Sequence, residues 1–268
     1  MTWKILRVSR APDGTDYDLT GPAGAPNVVL IHGLGLTRDV FDKMRLWFEP
    51  YRVLAYDLYG HGQSGPAPDA VTLTLLARQV TGLMDVVGMD RAHLVGFSIG
   101  GMINRRVALD APDRVASLVI LNSPHDRGEA AQAQVEQRAK TVGQGGAMAT
   151  MDAALKRWFT PGYLEHGQGP SQVRTWREQV HPESYAGTAW VLANGVRELI
   201  APAPPISAPT LVMTCENDSG STPAMSRAIA AEIAGSDCRI VPRLQHLGLM
   251  EEPDLFSKPI AEFLEIHQ

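Results

Sequence analysis

Three residues have the types and the surroundings to carry out one reaction. Ser98 stands in the stretch Gly96-Phe97-Ser98-Ile99-Gly100-Gly101, Asp218 in Cys215-Glu216-Asn217-Asp218-Ser219-Gly220, and His246 in Leu244-Gln245-His246-Leu247-Gly248. A hydroxyl is a weak nucleophile unless an imidazole takes its proton, and the imidazole needs a carboxylate to fix its tautomer. A serine flanked in this way arises by chance in roughly one chain in ten of this size, so the evidence has to come from what surrounds it. Glu216 is a second candidate carboxylate in the acid's loop.

The surroundings are strands and helices in alternation. Asn27 to Ile31, Tyr51 to Tyr56, Ala92 to Val95, Ala116 to Leu121 and Thr210 to Met213 are short, continuous apolar runs of the kind buried on both faces of a parallel sheet. Ile5 to Val8 and Tyr17 to Thr20, separated by Ala11-Pro12-Asp13-Gly14, read as a short antiparallel opening. Leu73 to Val87 has apolar residues at helical spacing and stops at Gly88, and Met102 to Asp110 reads as a second helix, stopped by Ala111-Pro112. The expected fold is α/β, a mostly parallel central sheet with helices on both faces. After the sixth strand the rhythm breaks into a long helical stretch ending in Ala201-Pro202-Ala203-Pro204-Pro205. We divide the chain into a core of residues 1–122 and 206–268 and an inserted helical cap of residues 123–205.

This plan puts Ser98 between a central strand and a helix, at the carboxyl edge where open α/β sheets bind ligands. Flanking glycines permit the sharp turn that projects a serine oxygen there. Asp218 follows the Thr210 to Met213 strand, before a helix opened by Pro223, and His246 follows the Arg239 to Val241 run. Ile31-His32-Gly33-Leu34-Gly35 follows the first parallel strand, so the Leu34 N–H can pair with that of Ile99 as an oxyanion hole. His32 reads as a buttress below that loop, and His61 as a residue fixing the Asp57 loop.

With the order Ser, Asp, His in place, the chain resembles the α/β-hydrolase superfamily over nearly its whole length, from His32-Gly33 through Asp57-Leu58-Tyr59-Gly60-His61-Gly62-Gln63-Ser64 to the His246 loop. Gly100-Gly101-Met102, Ala111-Pro112-Asp113-Arg114-Val115 and Arg157-Trp158-Phe159-Thr160-Pro161 are similar to the 3-oxoadipate enol-lactonase and carboxylesterase branch. Enol-lactonases usually carry Asn-Ser-Leu-Gly where this chain has His32-Gly33-Leu34-Gly35. The resemblance selects Asp218 over Glu216 as the acid. It implies cleavage of a small carboxylic ester or lactone through an acyl-enzyme, with no cofactor. Carbon–carbon bond hydrolysis of ring-cleavage products and cofactor-free haloperoxidase or perhydrolase chemistry are the enzymatic alternatives, and a ligand receptor on this fold is the non-enzymatic one.

Composition narrows the partners. A net charge of -5, a pI near 5.9 and no Lys/Arg cluster argue against nucleic acid and anionic membranes. The expected partner is a small-molecule ester or lactone, and the expected state a monomer or homodimer. Residues 1–19 lack a signal-peptide core and no apolar run approaches a membrane span, so a cytoplasmic location is expected. Cys215 and Cys238 read as buried thiols. His93, His125, His166, His181 and His267 lack metal-ligand spacing, and no metal is expected. Trp158, Trp190 and Phe97 are candidate substrate contacts; Arg157, Arg174, Arg177 and Arg197 read as a solvated face from which one arginine could clamp a substrate carboxylate.

Overall fold

Eight strands form one sheet in the computed structural model, which describes residues 7–268. They are β1 (Arg7–Arg10), β2 (Asp16–Thr20), β3 (Asn27–Ile31), β4 (Arg52–Tyr56), β5 (Ala92–Phe97), β6 (Val115–Leu121), β7 (Thr210–Cys215) and β8 (Asp237–Val241). The spatial order is β1-β2-β4-β3-β5-β6-β7-β8. β1 and β2 pair antiparallel with each other, β2 pairs antiparallel with β4, and every later pairing is parallel. Residues 5 and 6 of the first expected strand lie outside the described residues. Register brings the carboxyl ends level: Ile31 faces Gly96, Phe97 faces Leu121, and Leu121 faces Met213.

Helix α1 (Leu73–Val87) has the expected limits. The Thr72 hydroxyl accepts from the Leu75 N–H at its start, and Gly88 ends it at φ 67. Helix α2 (Ile99–Asp110) begins three residues before the expected Met102, directly after Ser98. Gly100 and Gly101 are therefore helical, and their lack of a side chain serves close packing: a Cβ at Gly100 would run into the Ile31 carbonyl, and one at Gly101 into the Ser123 side chain. Between β6 and β7 the chain forms α3 (Gly128–Gly145), α4 (Met151–Trp158), α5 (Pro161–His166), α6 (Gly169–Glu178) and α7 (Pro182–Asn194). Helices α8 (Pro223–Ala231), α9 (Gly248–Glu251) and α10 (Asp254–Ile266) complete the chain.

Alternation along the strands divides the core between the two sheet faces. Val29, Ile31 and Leu94 pack with α1 and α2, while Val28, Leu30 and Val95 pack with α10 and the 3-10 stretch Arg38–Phe48. Each such Val, Leu or Ile side chain stabilises the fold by about 1.5–3 kcal/mol through burial. A separate cluster of Ala139, Val142, Val180, Tyr185, Ala189 and Ala193 packs the inserted helices on one another. Cys215 is buried, but Cys238 is only partly so, because β8 is the sheet edge and alternates between solvent and core. Among the described residues no helix is long and apolar enough to cross a membrane.

Candidate active site

Ser98 is the joint between β5 and α2, with φ 56 and ψ -114. A non-glycine residue there costs about 1–3 kcal/mol and persists only where its surroundings impose it. Here the Ser98 N–H donates to the Leu121 carbonyl at 2.8 Å, and the Ser98 carbonyl accepts from the Gly101 N–H at 3.0 Å. A Cβ at Gly96 would strike the Gly100 carbonyl, so the strand and the helix can meet this closely only at glycine. Ser98 is 6% exposed and lines a cavity of about 140 Å³ together with Asp218 and His246.

Asp218 sits three residues past β7, and four donors hold its carboxylate. Oδ1 accepts from the Gly220 and Ser221 amides, each at 2.9 Å. Oδ2 accepts from Asn122 Nδ2 at 2.9 Å and pairs with His246 Nδ1 at 2.6 Å. Burial alone would raise the carboxyl pKa, but the facing imidazole and these hydrogen bonds outweigh it and hold Asp218 below the ordinary value. Because a carboxylate only accepts, Nδ1 carries the hydrogen and Nε2 is left with a free lone pair, the form a general base needs. Glu216 is exposed and accepts from the Arg243 N–H at 2.8 Å.

His246 is held from three sides. The Phe97 ring lies 5.0 Å from the imidazole and the Trp158 ring 6.1 Å. The next residue, Leu247, donates its N–H to the Trp158 carbonyl at 2.8 Å. Glu251 adds a second tie to the same segment, accepting from the Thr160 N–H at 2.9 Å and the Thr160 hydroxyl at 2.6 Å.

The loop after β3 is set by His32, which is fully buried. Its Nδ1–H donates to the Gly33 carbonyl at 2.7 Å, and its Nε2 accepts from the Leu58 N–H at 2.9 Å. Burial, with Arg38 nearby, pushes its pKa down to about 4 against the opposing Gly33 bond, so the ring is neutral at pH 7. In a trans peptide the C=O and the following N–H point opposite ways. Turning the Gly33 oxygen towards His32 therefore turns the Leu34 N–H away from it, on the residue that lines the cavity. Neither this N–H nor that of Ile99, the first residue of α2, donates to a protein acceptor among the described residues. His61 Nδ1 donates to the Tyr59 carbonyl at 3.0 Å, while Arg38 holds the Asp57 carboxylate, with Nη1 at 2.9 Å.

Of the expected substrate contacts, Phe97 and Trp158 line the cavity and Trp190 does not. Trp190 is 46% exposed, on the side of α7 away from the buried Ala189 and Val191. The expected solvated arginine face also needs correction. Arg174 and Arg197 do pair with carboxylates at the surface. Arg177 is 3% exposed and lines the cavity, its guanidinium 5.6 Å from the Trp158 ring and 5.1 Å from the Tyr185 ring. Arg157 is half-buried in the same lining. Asn122 and Tyr185 are site residues that the sequence reading missed; an asparagine at a strand end and a tyrosine in a helix carry no spacing signal.

The comparisons with known proteins agree with this architecture. A family model described as "Alpha/beta hydrolase family" matches residues 28–258. The chain is 27% identical over 255 residues to 3-oxoadipate enol-lactonase 2 of Acinetobacter baylyi, covering 93% of this chain and 92% of that protein. It is 26% identical to (E)-2-((N-methylformamido)methylene)succinate hydrolase of the same organism, covering 89% and 90%. The enol-lactonase crystal structure from Burkholderia xenovorans LB400 superposes with a TM-score of 0.84 at 29% identity, covering 94% of this chain and 98% of that one.

Proposed function

Because the chain belongs to the alpha/beta hydrolase family, we propose that it is a serine hydrolase that cleaves a small carboxylic ester or lactone through an acyl-enzyme. The observation that carries this reading is the 2.6 Å bond from His246 Nδ1 to the buried Asp218, in one cavity with the strained Ser98. His246 Nε2 takes the Ser98 proton as Oγ attacks the substrate carbonyl carbon, and the Leu34 and Ile99 amides hold the oxygen as it becomes negative. The tetrahedral adduct collapses, and the alkoxide leaves with the proton that His246 returns. Water then attacks the acyl carbon, giving its proton to His246, and the released acid restores Ser98. A lactone opens by the same steps, its alcohol and acid staying on one molecule.

Cavity size supports a small substrate. About 140 Å³ is close to the roughly 150 Å³ of an engineered apolar cavity that takes up benzene. Residues 123–205 act as the lid over the strand ends, since Val135, Arg138, Ala154, Trp158 and Tyr185 of that stretch form one wall of the cavity. The names of the relatives support hydrolysis, and one of them supports a lactone.

The test is intact-mass spectrometry after brief exposure to a fluorophosphonate. Wild type should gain one adduct and Ser98→Ala none. An unlabelled wild-type protein would remove the nucleophile from the reading. Labelled protein then goes to a panel of esters, lactones and vinylogous diketones, where turnover of diketones alone would replace ester cleavage with carbon–carbon cleavage.

A further inference from the structure

Pairing between β7 and β8 runs as far as Cys215 and Val241. Asp218 lies three residues beyond the first of these and His246 five beyond the second, so loops and not strands bring Asp218 Oδ2 and His246 Nδ1 to 2.6 Å. Four hydrogen bonds fasten those loops to each other ahead of the pair. Two join main chain to main chain: the Glu216 N–H donates to the Val241 carbonyl at 2.8 Å, and the Asn217 N–H to the Leu244 carbonyl at 3.0 Å. The other two come from side chains and converge on one residue. Glu216 Oε2 accepts from the Arg243 N–H at 2.8 Å, and Asn217 Nδ2 donates to the Arg243 carbonyl at 3.1 Å.

Arg243 is the sharpest bend in the loop of the base. It has φ 65, and the Leu244 N–H donates back to the Pro242 carbonyl at 2.8 Å. A three-residue turn closed by that bond with a positive central φ is rare and strained. Glycine adopts such a φ freely and arginine does not, so the conformation lasts only where neighbours impose it. Here the neighbours are the two residues directly before Asp218, which hold Arg243 by both of its backbone polar groups.

Global stability is a poor account of these two side-chain bonds. Glu216, Asn217 and Arg243 are all exposed, and neither Glu216 nor Asn217 lines the cavity. Water would satisfy all four groups if the loops parted, so the bonds add little to the folding free energy. Their effect is on direction. Asn122 and the Gly220 and Ser221 amides fix the carboxylate of Asp218, and the bonds to Arg243 fix the loop of the base against it.

We infer that Glu216 and Asn217 are positioning residues: by pinning the Arg243 turn they set the approach of His246 Nδ1 to Asp218 Oδ2, and with it the aim of the base. For its effect on rate the inference rests on the serine-hydrolase reading above. It gives Glu216, the second carboxylate in the acid's loop, a task outside the cavity.

Proton NMR in water reads the pair without substrate, because a hydrogen held between imidazole and carboxylate in so short a bond is strongly deshielded. Replacing both residues, Glu216→Ala with Asn217→Ala, should move the His246 Nδ1–H resonance upfield. On a small ester kcat should fall about tenfold, short of the roughly 10²-fold that a 1 Å misplacement can cost. KM should change by less than about threefold, since ground-state binding uses neither residue. Glu216→Gln keeps an oxygen that accepts from the Arg243 N–H and should retain the resonance, with kcat within about twofold of wild type. An unmoved resonance in the double variant overturns the inference. So does a Glu216→Gln protein as impaired as the double one, which would make Glu216 the acid and not a brace. If the double variant does not fold, Asn217→Ala serves instead: it removes one of the two side-chain bonds and should move the resonance the same way, and an unmoved one overturns the inference. A moved resonance in a protein whose wild type turns over no ester keeps the positioning and sinks the hydrolase reading. Undiminished turnover by the double variant, with the resonance in place, does the reverse.

Discussion

The His32 ring and the Gly33 carbonyl are joined by a 2.7 Å hydrogen bond that, together with the Leu36 N–H on the same carbonyl at 3.2 Å, sets the direction of the Leu34 N–H. His32 is a positioning residue in this arrangement, since it touches the loop and never the cavity. His32→Leu removes the shorter of the two bonds to the Gly33 carbonyl and should lower kcat by up to about 10²-fold, the effect of losing one oxyanion donor. KM for a small ester should change by less than about threefold, because ground-state binding does not use that donor. A variant that loses affinity instead of kcat would mean the bond supports the cavity wall and not the N–H.

Asp218 fixes the His246 tautomer, so its replacement should cost more than its contribution to packing suggests. Asp218→Asn presents an amide of the same shape and should lower kcat by about 10⁴. Asn122→Leu removes one of four donors to the carboxylate and should lower kcat by about tenfold, at the low end for a hydrogen bond to a charged group. Steady-state kinetics on both variants, with folding checked by circular dichroism, decide the matter; equal losses would put Asn122 on a level with Asp218.

Three buried histidines make folding sensitive to mild acid. Burial pushes His32 to about 4, His61 to about 3 and His93 to about 4, against an ordinary value of 6.5. In the folded protein each stays neutral while the unfolded chain takes up a proton below pH 6.5, so the unfolded state binds more protons and stability falls as pH drops from 6.5 towards 4. His93 lies away from the cavity, bonded to the Ser117 hydroxyl. Denaturant titrations at several pH values should show a slope of stability with pH about 1.4 kcal/mol per unit shallower in His93→Leu, the value of one proton. Parallel slopes would mean that His93 is protonated in the folded state.

Glu251 ties the segment after α4 to the loop of the base through the Thr160 amide and hydroxyl. Glu251→Ala strands both donors and should destabilise the protein by about 2 kcal/mol, a fall in Tm of roughly 4–8 °C. Differential scanning calorimetry reads it, and an unchanged Tm would show that the Leu247–Trp158 main-chain bond suffices.

Much of this arrangement is legible in the sequence because position along a parallel sheet is. Ser98, Asp218 and His246 each follow an apolar run, and strand ends of one direction converge at one edge, so their shared cavity follows from topology. Helix α1 is legible to the residue because Thr72 and Gly88 punctuate it. The start of α2 is not, because Gly100 and Gly101 look like a turn until the Ile31 carbonyl and Ser123 are known to lie against them. Arg177 is read as solvated for a similar reason: nothing local says that Trp158 and Tyr185, from two other helices, will close over it. Asn122 depends on a partner 96 positions away.

The division of labour between strand ends and inserted helices has an evolutionary consequence. The residues proposed as nucleophile, acid, base and oxyanion donors are encoded outside residues 123–205, while Arg138, Arg157 and Arg177 of the cavity lining are encoded inside them. Drift in that inserted stretch can therefore reshape one wall of the cavity while Ser98, Asp218 and His246 are left intact. Recombination that exchanges the stretch whole would have to conserve its ties to the core, among them the Trp158 carbonyl that receives the Leu247 N–H, the Gly60 carbonyl that receives the His181 N–H and the bonds from Thr160 to Glu251.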